Sequence, residues 1–507
     1  MCPKSMATDG YLLGYDLGSS FIKASLIDSK TGILIAKAAS TDKELTIDSP
    51  HPGWAEQHPD MWWKNIVQAT LKIKMQVGNK LKDVRAIGIT YQMHGLVLVD
   101  KHMNVLYPSI IWCDSRAVAL GDKAFKKIGQ KTCLTHFLNS PGNFTASKLA
   151  WVKQNLPHIY KRIYKIMLPG DYIAYKFTGE VKTTVTGLSE GILWDYQKQD
   201  IADLVLNYYG IPKDFIPDIV PTFSIQGRLT AEAAEMTGLP VGVPVSYRAG
   251  DQPNNALSLN VLNPGEIAAT TGTSGVVYGV GDKPIFDKKS RVNVFVHVNH
   301  TKKTPRYGTL LCLNGAGILN SWSKNKLFTL SKEGLSYDEM NHMALLAPIG
   351  SDGLCILPFG NGAERTLENK NIGASIHGLN LTIHTRRHIA RAIQEGVVFA
   401  MNYGLQIMKD MGLSIKVIRT GYANMFLSPL FAQAFSTLTN SVIQLYNTDG
   451  AQGAARGAGI GAGIYPSARE AFKHLEIMKT IKPNFSQRGA YLEAYARWET
   501  CLKKSLL

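Results

Sequence analysis

The segment AGDQPNNALSLNVLNPGEIAATTGTSGVVY, residues 249–278, contains an acid and a hydroxyl-rich loop separated by an apolar stretch. Asp251 lies between Gly250 and Gln252, and a carboxylate in a glycine turn can act as a general base toward a substrate hydroxyl. The loop Gly272-Thr273-Ser274-Gly275 exposes backbone N–H groups and small hydroxyls, which suit phosphate oxygens. Taken alone, this segment favours two ordinary turns. The spacing between Asp251 and the loop suggests a second interpretation, in which one segment holds both a base and a phosphate.

A second segment, YLLGYDLGSSFIKASLID at residues 11–28, has the pattern of a β-hairpin with glycine at its turn. Asp16 ends an apolar run, the turn Gly18-Ser19-Ser20 follows, and Lys23 lies just beyond it. Such an acid can orient hydrated Mg²⁺ while the turn holds phosphate, although a plain hairpin with an acid at its turn is the alternative. Residues 264–280 repeat the strand, turn and strand. We therefore predict a repeat of architecture, with two similar α/β domains facing a nucleotide.

The length and composition indicate a globular protein of more than one domain. The chain has 507 residues, 45% of them hydrophobic and 19% charged, as in globular proteins. This length exceeds that of a domain with one ordinary core. We predict an N-terminal domain over 11–250 and a C-terminal domain over 251–507. The segment 490–502 has the pattern of an amphipathic helix. An alternative prediction is that this last helix packs back on the first domain.

The net charge constrains the possible binding partners, and the cysteines indicate the cellular compartment. The formal net charge is +16, but the basic residues are scattered and form no nucleic-acid motif, so we predict no nucleic-acid partner. The six cysteines form no CxxC pair, which suits a reducing cytosol. The N-terminal MCPKSMATDG has no apolar core of a signal peptide, and no run of about 18 apolar residues occurs. We predict a cytoplasmic protein without a membrane partner.

Further candidate residues lie where strands break or end. Gln92-Met93-His94-Gly95 interrupts two apolar runs, and a histidine there can bond a polyol or simply the backbone. A strand from Val417 leads into Thr420-Gly421-Tyr422-Ala423-Asn424, a loop that can place N–H groups near a ligand. Residues 449–463 match a dinucleotide fingerprint loosely, but they favour a small-residue helix packed on a sheet. His384 and His388 lack the HExxH pattern and are interpreted as a helix start.

Six motifs in order resemble one family. They are DLGSSFIK at Asp16, PGWAEQ at Pro52, QMHG at Gln92, WCDSR at Trp112, AGDQ at Ala249 and GTSGV at Gly272. Together they resemble the FGGY carbohydrate kinases of the actin/Hsp70/sugar-kinase superfamily. The resemblance implies two ribonuclease-H-like α/β domains that flank a catalytic cleft, with ATP and sugar as ligands.

The resemblance also implies a role for each matching position. It makes Asp251 the general base and places Met93, His94 and Gln252 at the sugar. It makes Asp16 the residue that holds Mg²⁺, through water. The remaining implied positions bind ATP: Gly18, Ser19, Ser20 and Lys23 in the first phosphate turn, Gly272, Thr273 and Ser274 in the second, and Gly421 and Asn424 on the adenosine side.

The implied reaction is ATP-dependent phosphorylation of a terminal sugar hydroxyl, and the Met93-His94 pair points to O5 of D-xylulose. The absence of a GxxxxGK[ST] motif disfavours a P-loop kinase. Two departures from the family pattern are Gln252, where asparagine is usual, and the glycine-poor loop at residues 420–424. The alternatives are a kinase for another ketose or polyol such as ribulose, and a non-catalytic actin-like sensor of sugar or nucleotide. For the oligomeric state, a homodimer is one hypothesis.

Overall fold

The computed structural model describes residues 9–328 and 335–507, which form two compact units. Unit 1 comprises the chain up to Asn260 together with Phe295–Tyr307 and Thr448–Leu475. Unit 2 comprises Val261–Val294, Gly308–Asn447 and Glu476–Leu507. The domain boundary at residues 250 and 251 stays a prediction, and most of the N-terminal decapeptide lies outside the described residues.

The strands are numbered in chain order. They are β1 (Tyr11–Leu17), β2 (Ile22–Asp28), β3 (Leu34–Ala39), β4 (Glu56–Gln57), β5 (Val84–Tyr91), β6 (Leu96–Val99), β7 (Val105–Ile110), β8 (Lys165–Met167), β9 (Lys182–Thr184), β10 (Trp194–Asp195), β11 (Asp200–Ile201), β12 (Asp218–Val220), β13 (Phe223–Arg228), β14 (Pro244–Gly250), β15 (Glu266–Thr271), β16 (Gly275–Gly281), β17 (Asn293–Val296), β18 (Tyr307–Leu313), β19 (Cys355–Phe359), β20 (Gly373–His377), β21 (Val417–Gly421), β22 (Val442–Tyr446) and β23 (Ile477–Ile481).

The α-helices are numbered in the same way. They are α1 (Pro59–Val77), α2 (Val118–Ile128), α3 (Gln130–Phe137), α4 (Thr145–Asn155), α5 (Pro157–Tyr160), α6 (Pro169–Thr178), α7 (Val185–Glu190), α8 (Asp203–Tyr209), α9 (Ala231–Thr237), α10 (Asp251–Ser258), α11 (Ala316–Trp322), α12 (Tyr337–Leu345), α13 (Arg386–Asp410), α14 (Pro429–Thr439), α15 (Gly450–Gly461), α16 (Ala468–Ala471) and α17 (Phe485–Leu506).

Unit 1 is organised by a six-stranded mixed sheet with the order β13-β14-β5-β1-β2-β3. The predicted hairpin is confirmed, because β1 and β2 pair antiparallel from Tyr11 opposite Asp28 to Leu17 opposite Ile22. The strands β5 and β14 extend the sheet in parallel with β1. The carboxyl ends of these three parallel strands therefore meet at one edge, where α/β sheets bind their ligands.

Unit 2 repeats this arrangement in a seven-stranded sheet, β17-β18-β16-β15-β21-β22-β23. Its hairpin β15–β16 is antiparallel, and β21 and β22 continue in parallel from β15. The order β18-β16-β15-β21-β22 thus matches β3-β2-β1-β5-β14 of unit 1. The predicted repeat of architecture and the α/β class are both confirmed.

The glycine-rich segment 449–463 forms a helix and not a dinucleotide loop. α15 packs against the sheet of unit 1 through buried Ala454, Ala455 and Ala458. Ser246 Oγ donates a hydrogen bond to the carbonyl of Ala458 at 2.8 Å. Small side chains let the helix approach the strands closely, so the sequence interpretation is confirmed.

The last helix packs within unit 2. In α17, Tyr491, Ala494, Trp498 and Leu502 are buried in the core that also contains strands β15 and β19. Trp498 Nε1 donates to the Ile356 carbonyl at 2.9 Å. Across the described residues, no helix combines the length and apolar composition that a membrane crossing requires.

Candidate active site

Asp251 lies where a strand becomes a helix. β14 ends at Gly250, and Asp251 is the first residue of α10, so the local structure is a strand–helix junction and not the isolated glycine turn that the sequence suggested. Burial, together with the nearby charge of Asp16, raises the pKa of Asp251 to about 7, although hydrogen bonds from Gln252 oppose the shift. A carboxyl with a pKa near neutral pH is suited to general-base chemistry.

Asp16 lies near the carboxyl end of β1, in the same unit. It is paired across the hairpin with Lys23. Burial, opposed by the charge of Lys23 and assisted by that of Asp449, raises the pKa of Asp16 to about 6. A Cβ built on Gly450 would lie 2.7 Å from Asp16 Oδ2, which places the carboxylate against the start of α15. Asp16, Asp251 and Asp449 therefore form an acidic group in unit 1.

The first hairpin turn is held by residues from other motifs. Gly18 N donates to the Phe21 carbonyl at 3.1 Å, which closes the turn. Gln57 Nε2 donates to the Ser19 carbonyl at 2.8 Å, and Trp112 Nε1 donates to Ser19 Oγ at 3.3 Å. Gln92 Nε2 in turn donates to Gln57 Oε1 at 2.9 Å. Four of the motifs that suggested the family therefore meet at this turn.

Asp114 and Arg116 of the WCDSR motif form an ion pair, and they belong to a larger cluster. The Arg116 guanidinium bonds both Asp114 and Glu56 at 2.7 Å. It stacks 3.8 Å from the Trp54 ring centroid and 4.9 Å from that of Trp151. This cluster fixes the PGWAEQ loop and so supports the position of Gln57.

Met93 and His94 form the break between β5 and β6. His94 has a φ of 64°, a left-handed conformation that is unusual for a residue with a side chain. Its ring lies 4.7 Å from the Phe144 ring and 5.5 Å from the Phe295 ring. Met93 is buried, and a Cβ on Gly250 would lie 2.5 Å from Met93 Cγ. The two residues thus line the same region as the Gly250–Asp251 junction.

Two buried ionisable residues at His94 escaped the sequence analysis. Glu190 Oε1 accepts the His94 backbone N–H at 3.3 Å, and the Glu190 carbonyl accepts a hydrogen bond from His94 Nδ1 at 2.9 Å. Lys148 Nζ donates to the His94 carbonyl at 2.9 Å, and burial lowers the pKa of Lys148 to about 7. Burial raises the pKa of Glu190 well above its ordinary value, as do Asp251 and Asp171, although the His94 N–H opposes the shift.

The second hairpin turn borders a cavity of about 600 Å³ in unit 2. Gly272, Thr273 and Asn424 line it, whereas Ser274 and Gly421 do not. A Cβ built on Gly272 would lie 3.8 Å from Asn424 Nδ2. The lining residues that the sequence analysis missed are Thr271, Gly317, Ile318, Asn320, Ser321, Tyr337, Asp338, Asn341, Gln394, Met425, Leu427 and Ser428.

Helix α11 shapes this cavity by lying directly on the turn. The Ile318 N–H donates to the Thr273 carbonyl at 2.9 Å. A Cβ on Gly317 would lie only 1.6 Å from the Gly272 carbonyl oxygen, so only glycine fits there. The mixed amide, hydroxyl and apolar lining suits a ligand with both polar and planar apolar parts.

The sequence matches two family profiles that together cover most of the chain. Residues 11–258 match the N-terminal domain of the FGGY family of carbohydrate kinases, and residues 267–464 match its C-terminal domain. The chain belongs to the FGGY family of carbohydrate kinases. It is therefore a sugar kinase that uses ATP as co-substrate, and the family that the motifs suggested is confirmed.

Individual relatives are similar in sequence to this chain along nearly its whole length. The xylulose kinase of Haemophilus influenzae is 30% identical, with 97% of this chain and 99% of the relative covered. The xylulose kinase of Escherichia coli is 30% identical over 94% of this chain and 96% of its own. A solved structure of a xylulose kinase from Rhodospirillum rubrum is 25% identical, with a TM-score of 0.86 and coverage of 97% and 98%.

Proposed function

We propose that this FGGY kinase transfers the γ-phosphoryl group of ATP to O5 of D-xylulose. The observation that carries the proposal is the half-buried Asp251 carboxyl next to Gly250, against which Met93 packs, with Asp16 in the same unit. The xylulose kinases among its relatives support D-xylulose as the substrate. Asp251 argues against a sensor without catalysis, because binding alone needs no base.

In the proposed reaction, Asp251 accepts the proton of the O5 hydroxyl. The O5–phosphorus bond forms as the bond between the γ-phosphorus and the β,γ-bridging oxygen breaks, and ADP leaves. Phosphoryl transfer depends mainly on positioning and charge neutralisation. We assign the sugar to Met93, His94 and Gln252, and deprotonation to Asp251.

Magnesium fits the acidic group of unit 1. Among the described residues, no three His, Cys, Asp or Glu side chains form a cluster that could hold a metal alone. Mg²⁺ usually binds proteins through one or two carboxylates together with phosphates and water, so such a cluster is not required. We propose that Asp16, through water, and Asp449 hold the ion, which would neutralise phosphate charge.

We assign the nucleotide to both hairpin turns and to the unit 2 cavity. Gly18, Ser19, Ser20 and Lys23 are proposed to contact phosphate in unit 1. Gly272, Thr273 and Ser274 are proposed to contact it in unit 2, with Gly421 and Asn424 on the adenosine side. The cavity lining supports Gly272, Thr273 and Asn424 directly. A cytoplasmic location and a homodimer remain predictions.

The deciding experiment is ADP release measured against a panel of sugars. We expect D-xylulose to give the highest kcat/KM among D-xylulose, D-ribulose, L-ribulose, xylitol and glycerol. Detection of phosphate on O5 by ³¹P and ¹³C NMR would establish the regiochemistry. A higher kcat/KM for a ribulose would refute the narrow substrate and leave the kinase class, whereas no transfer to any sugar would refute catalysis.

A further inference from the structure

The chain between β18 and α11 is held by a buried carboxyl group. Asn314 and Gly315, which together form the β18–α11 junction, donate their backbone N–H groups to the side chain of Glu364. The Asn314 N–H reaches Oε2 and the Gly315 N–H reaches Oε1, each at 3.1 Å. Burial raises the pKa of Glu364 to about 7, although these two N–H groups oppose the shift. Each carboxyl oxygen of Glu364 therefore accepts a hydrogen bond from one of two consecutive residues.

Other contacts hold the junction against β19 and the loop that follows it. The Asn314 side-chain amide donates to the Ala363 carbonyl at 2.8 Å, and that of Asn361 donates to the Asn314 carbonyl at 3.1 Å. A Cβ built on Gly315 would lie only 1.6 Å from the Pro358 carbonyl oxygen, so only glycine fits there. The junction thus lies directly on β19, and the loop after β19 fixes its position.

The backbone around Glu364 leaves its carboxyl little freedom to move. The Glu364 N–H donates to the Lys370 carbonyl at 3.0 Å. The Glu364 carbonyl accepts the N–H groups of Leu367 and Asn369, each also at 3.0 Å. Glu368 and Asn369 have φ values of 58° and 63°, so the chain turns back sharply after Glu364. A carboxyl held by its own turn can hold its hydrogen-bond partners in place.

The junction leads within three residues to the turn that borders the unit 2 cavity. α11 begins at Ala316, and a Cβ on Gly317 would lie 1.6 Å from the Gly272 carbonyl oxygen. The Ile318 N–H donates to the Thr273 carbonyl at 2.9 Å. These four residues of α11 and of the turn line the cavity, apart from Ala316. A shift of the junction would therefore reach the cavity through α11.

We propose that Glu364 is a positioning residue for the nucleotide: its two carboxyl oxygens hold the β18–α11 junction, and α11 in turn holds the Gly272–Thr273 turn in place for phosphate. The inference rests on the nucleotide assignment in unit 2 and deepens it. Glu364 lies outside the cavity lining, so it acts through the chain and not on the ligand. A carboxylate is required because both of its oxygens accept, whereas a glutamine amide has one acceptor oxygen and one NH₂ donor.

The test is Glu364→Gln, which keeps the size of the side chain and turns one acceptor into a donor that faces a backbone N–H. We expect the Kd of a non-hydrolysable ATP analogue and the KM for ATP to rise about 5- to 50-fold, as the loss of one hydrogen bond to a charged group can produce. The KM for D-xylulose at saturating ATP should stay within about twofold. Calorimetric titration and steady-state kinetics give these values, and circular dichroism and thermal unfolding establish whether the variant folds.

Hydrogen exchange and a matched control separate positioning from general stability. Without ligand, exchange in residues 271–274 and 313–318 should be faster in Glu364→Gln than in wild type. The control is Asp287→Asn, which neutralises another buried carboxyl of unit 2 that accepts a backbone N–H, that of Arg291 at 2.8 Å. It should lower the unfolding temperature and leave the nucleotide Kd and the exchange of both segments unchanged.

Two results would overturn the inference directly. One is a folded Glu364→Gln whose nucleotide Kd stays within about twofold of wild type, and the other is an equal rise of that Kd in Asp287→Asn. If Glu364→Gln does not fold, Asn314→Ala decides, because it removes the hydrogen bond to Ala363 and keeps the backbone of the junction. Its nucleotide Kd should rise about two- to tenfold. A wild-type Kd in Asn314→Ala would again overturn the inference.

The underlying nucleotide assignment is tested separately in wild type. If an ATP analogue binds and does not slow exchange in residues 271–273, the assignment and the inference fail together. If the analogue protects these residues in wild type and Glu364→Gln binds it normally, the inference fails alone and the nucleotide assignment stands.

Discussion

At the scale of single residues, the candidate site depends on carboxyl groups whose pKa values are set by burial. The pKa of Asp251 is raised to about 7 and that of Asp16 to about 6, in each case chiefly by desolvation. Lys23, which is exposed, opposes the shift only at Asp16. The two carboxyls therefore share the effect of desolvation and differ in their charged neighbours.

Replacement of Asp251 by Asn tests its assignment as the base. General-base catalysis contributes about 10²- to 10⁴-fold, so kcat should fall by that factor. ATP affinity should change little, because Asp251 is not among the residues that line the unit 2 cavity. The measurements are steady-state kinetics and calorimetric titration with a non-hydrolysable nucleotide. A variant with near wild-type kcat would contradict the mechanism.

The pH dependence of kcat/KM follows from the raised pKa of Asp251. Below about pH 7 the carboxyl is protonated and cannot accept the sugar proton. We expect log kcat/KM to rise with a slope near one below that pH and to level above it, since kcat/KM reports the free enzyme. This rise below pH 7 should be absent from the pH profile of the residual activity of Asp251→Asn. A flat profile from pH 5.5 to 8 would contradict this prediction.

The same shift makes Asp251 a cost to stability at neutral pH. Its folded pKa lies above its unfolded value, so stability from this group is present below about pH 4 and is lost as pH rises to about 7. At pH 8, the free energy of unfolding of Asp251→Asn should therefore exceed that of wild type by up to about 4 kcal/mol, measured by denaturant titration. The difference should shrink at pH 5. Equal stability at pH 8 would show that Asp251 is not desolvated.

The residues found by sequence motifs and those missed differ in a physical way. Asp251, Asp16 and His94 stand in short patterns with glycine or small polar neighbours, which the chain itself reveals. Glu190 lies 96 residues from His94, and Lys148 lies 54 residues from it. Their roles arise from burial and long-range contact, and neither has a local signature.

At the scale of elements, the two hairpins place their turns in the same position of two similar sheets. The first turn lies between Leu17 and Ile22, and the second lies between Thr271 and Gly275. Alternation of apolar residues and glycine at the turn made both hairpins predictable. The neighbours of the turns, such as α11, were not predictable because they come from distant segments.

Gly317 in α11 offers a test of the second turn. Its Cβ would meet the Gly272 carbonyl at 1.6 Å, so Gly317→Ala must displace the helix or the turn. We expect nucleotide affinity to fall at least tenfold and stability to fall by about 1–3 kcal/mol. The control Gly489→Ala lies in α17 with open space at its Cβ and should stabilise by about 0.5–1 kcal/mol. Unchanged nucleotide affinity in Gly317→Ala would contradict the assignment.

At the scale of the whole molecule, the chain builds each unit from separated segments. Unit 1 takes Thr448–Leu475 from late in the sequence, including α15 and Asp449. The net charge of +16 would favour anionic ligands in general and selects none. Substrate choice therefore depends on the local sites and not on overall charge.

Hydrogen exchange of the intact protein should assign each ligand to its unit. A non-hydrolysable ATP analogue should slow exchange in residues 271–273 and 317–321, which line or border the unit 2 cavity. D-xylulose should slow exchange in residues 92–95 and around Glu190. At a ligand concentration 100 times Kd, stabilisation of about 2.7 kcal/mol is expected. Sugar protection confined to unit 2 would contradict the assigned sites.

The sequence by itself determined the α/β class, the two hairpins with their glycine turns, the family and the acid between Gly250 and Gln252. These follow from local periodicity, turn chemistry and short motifs, which act over a few residues. Only the tertiary structure decided that Asp251 begins a helix, that α15 belongs to unit 1, and that Glu190 and Lys148 hold His94. The reason is that desolvation and hydrogen bonding between distant residues depend on how the folded chain packs.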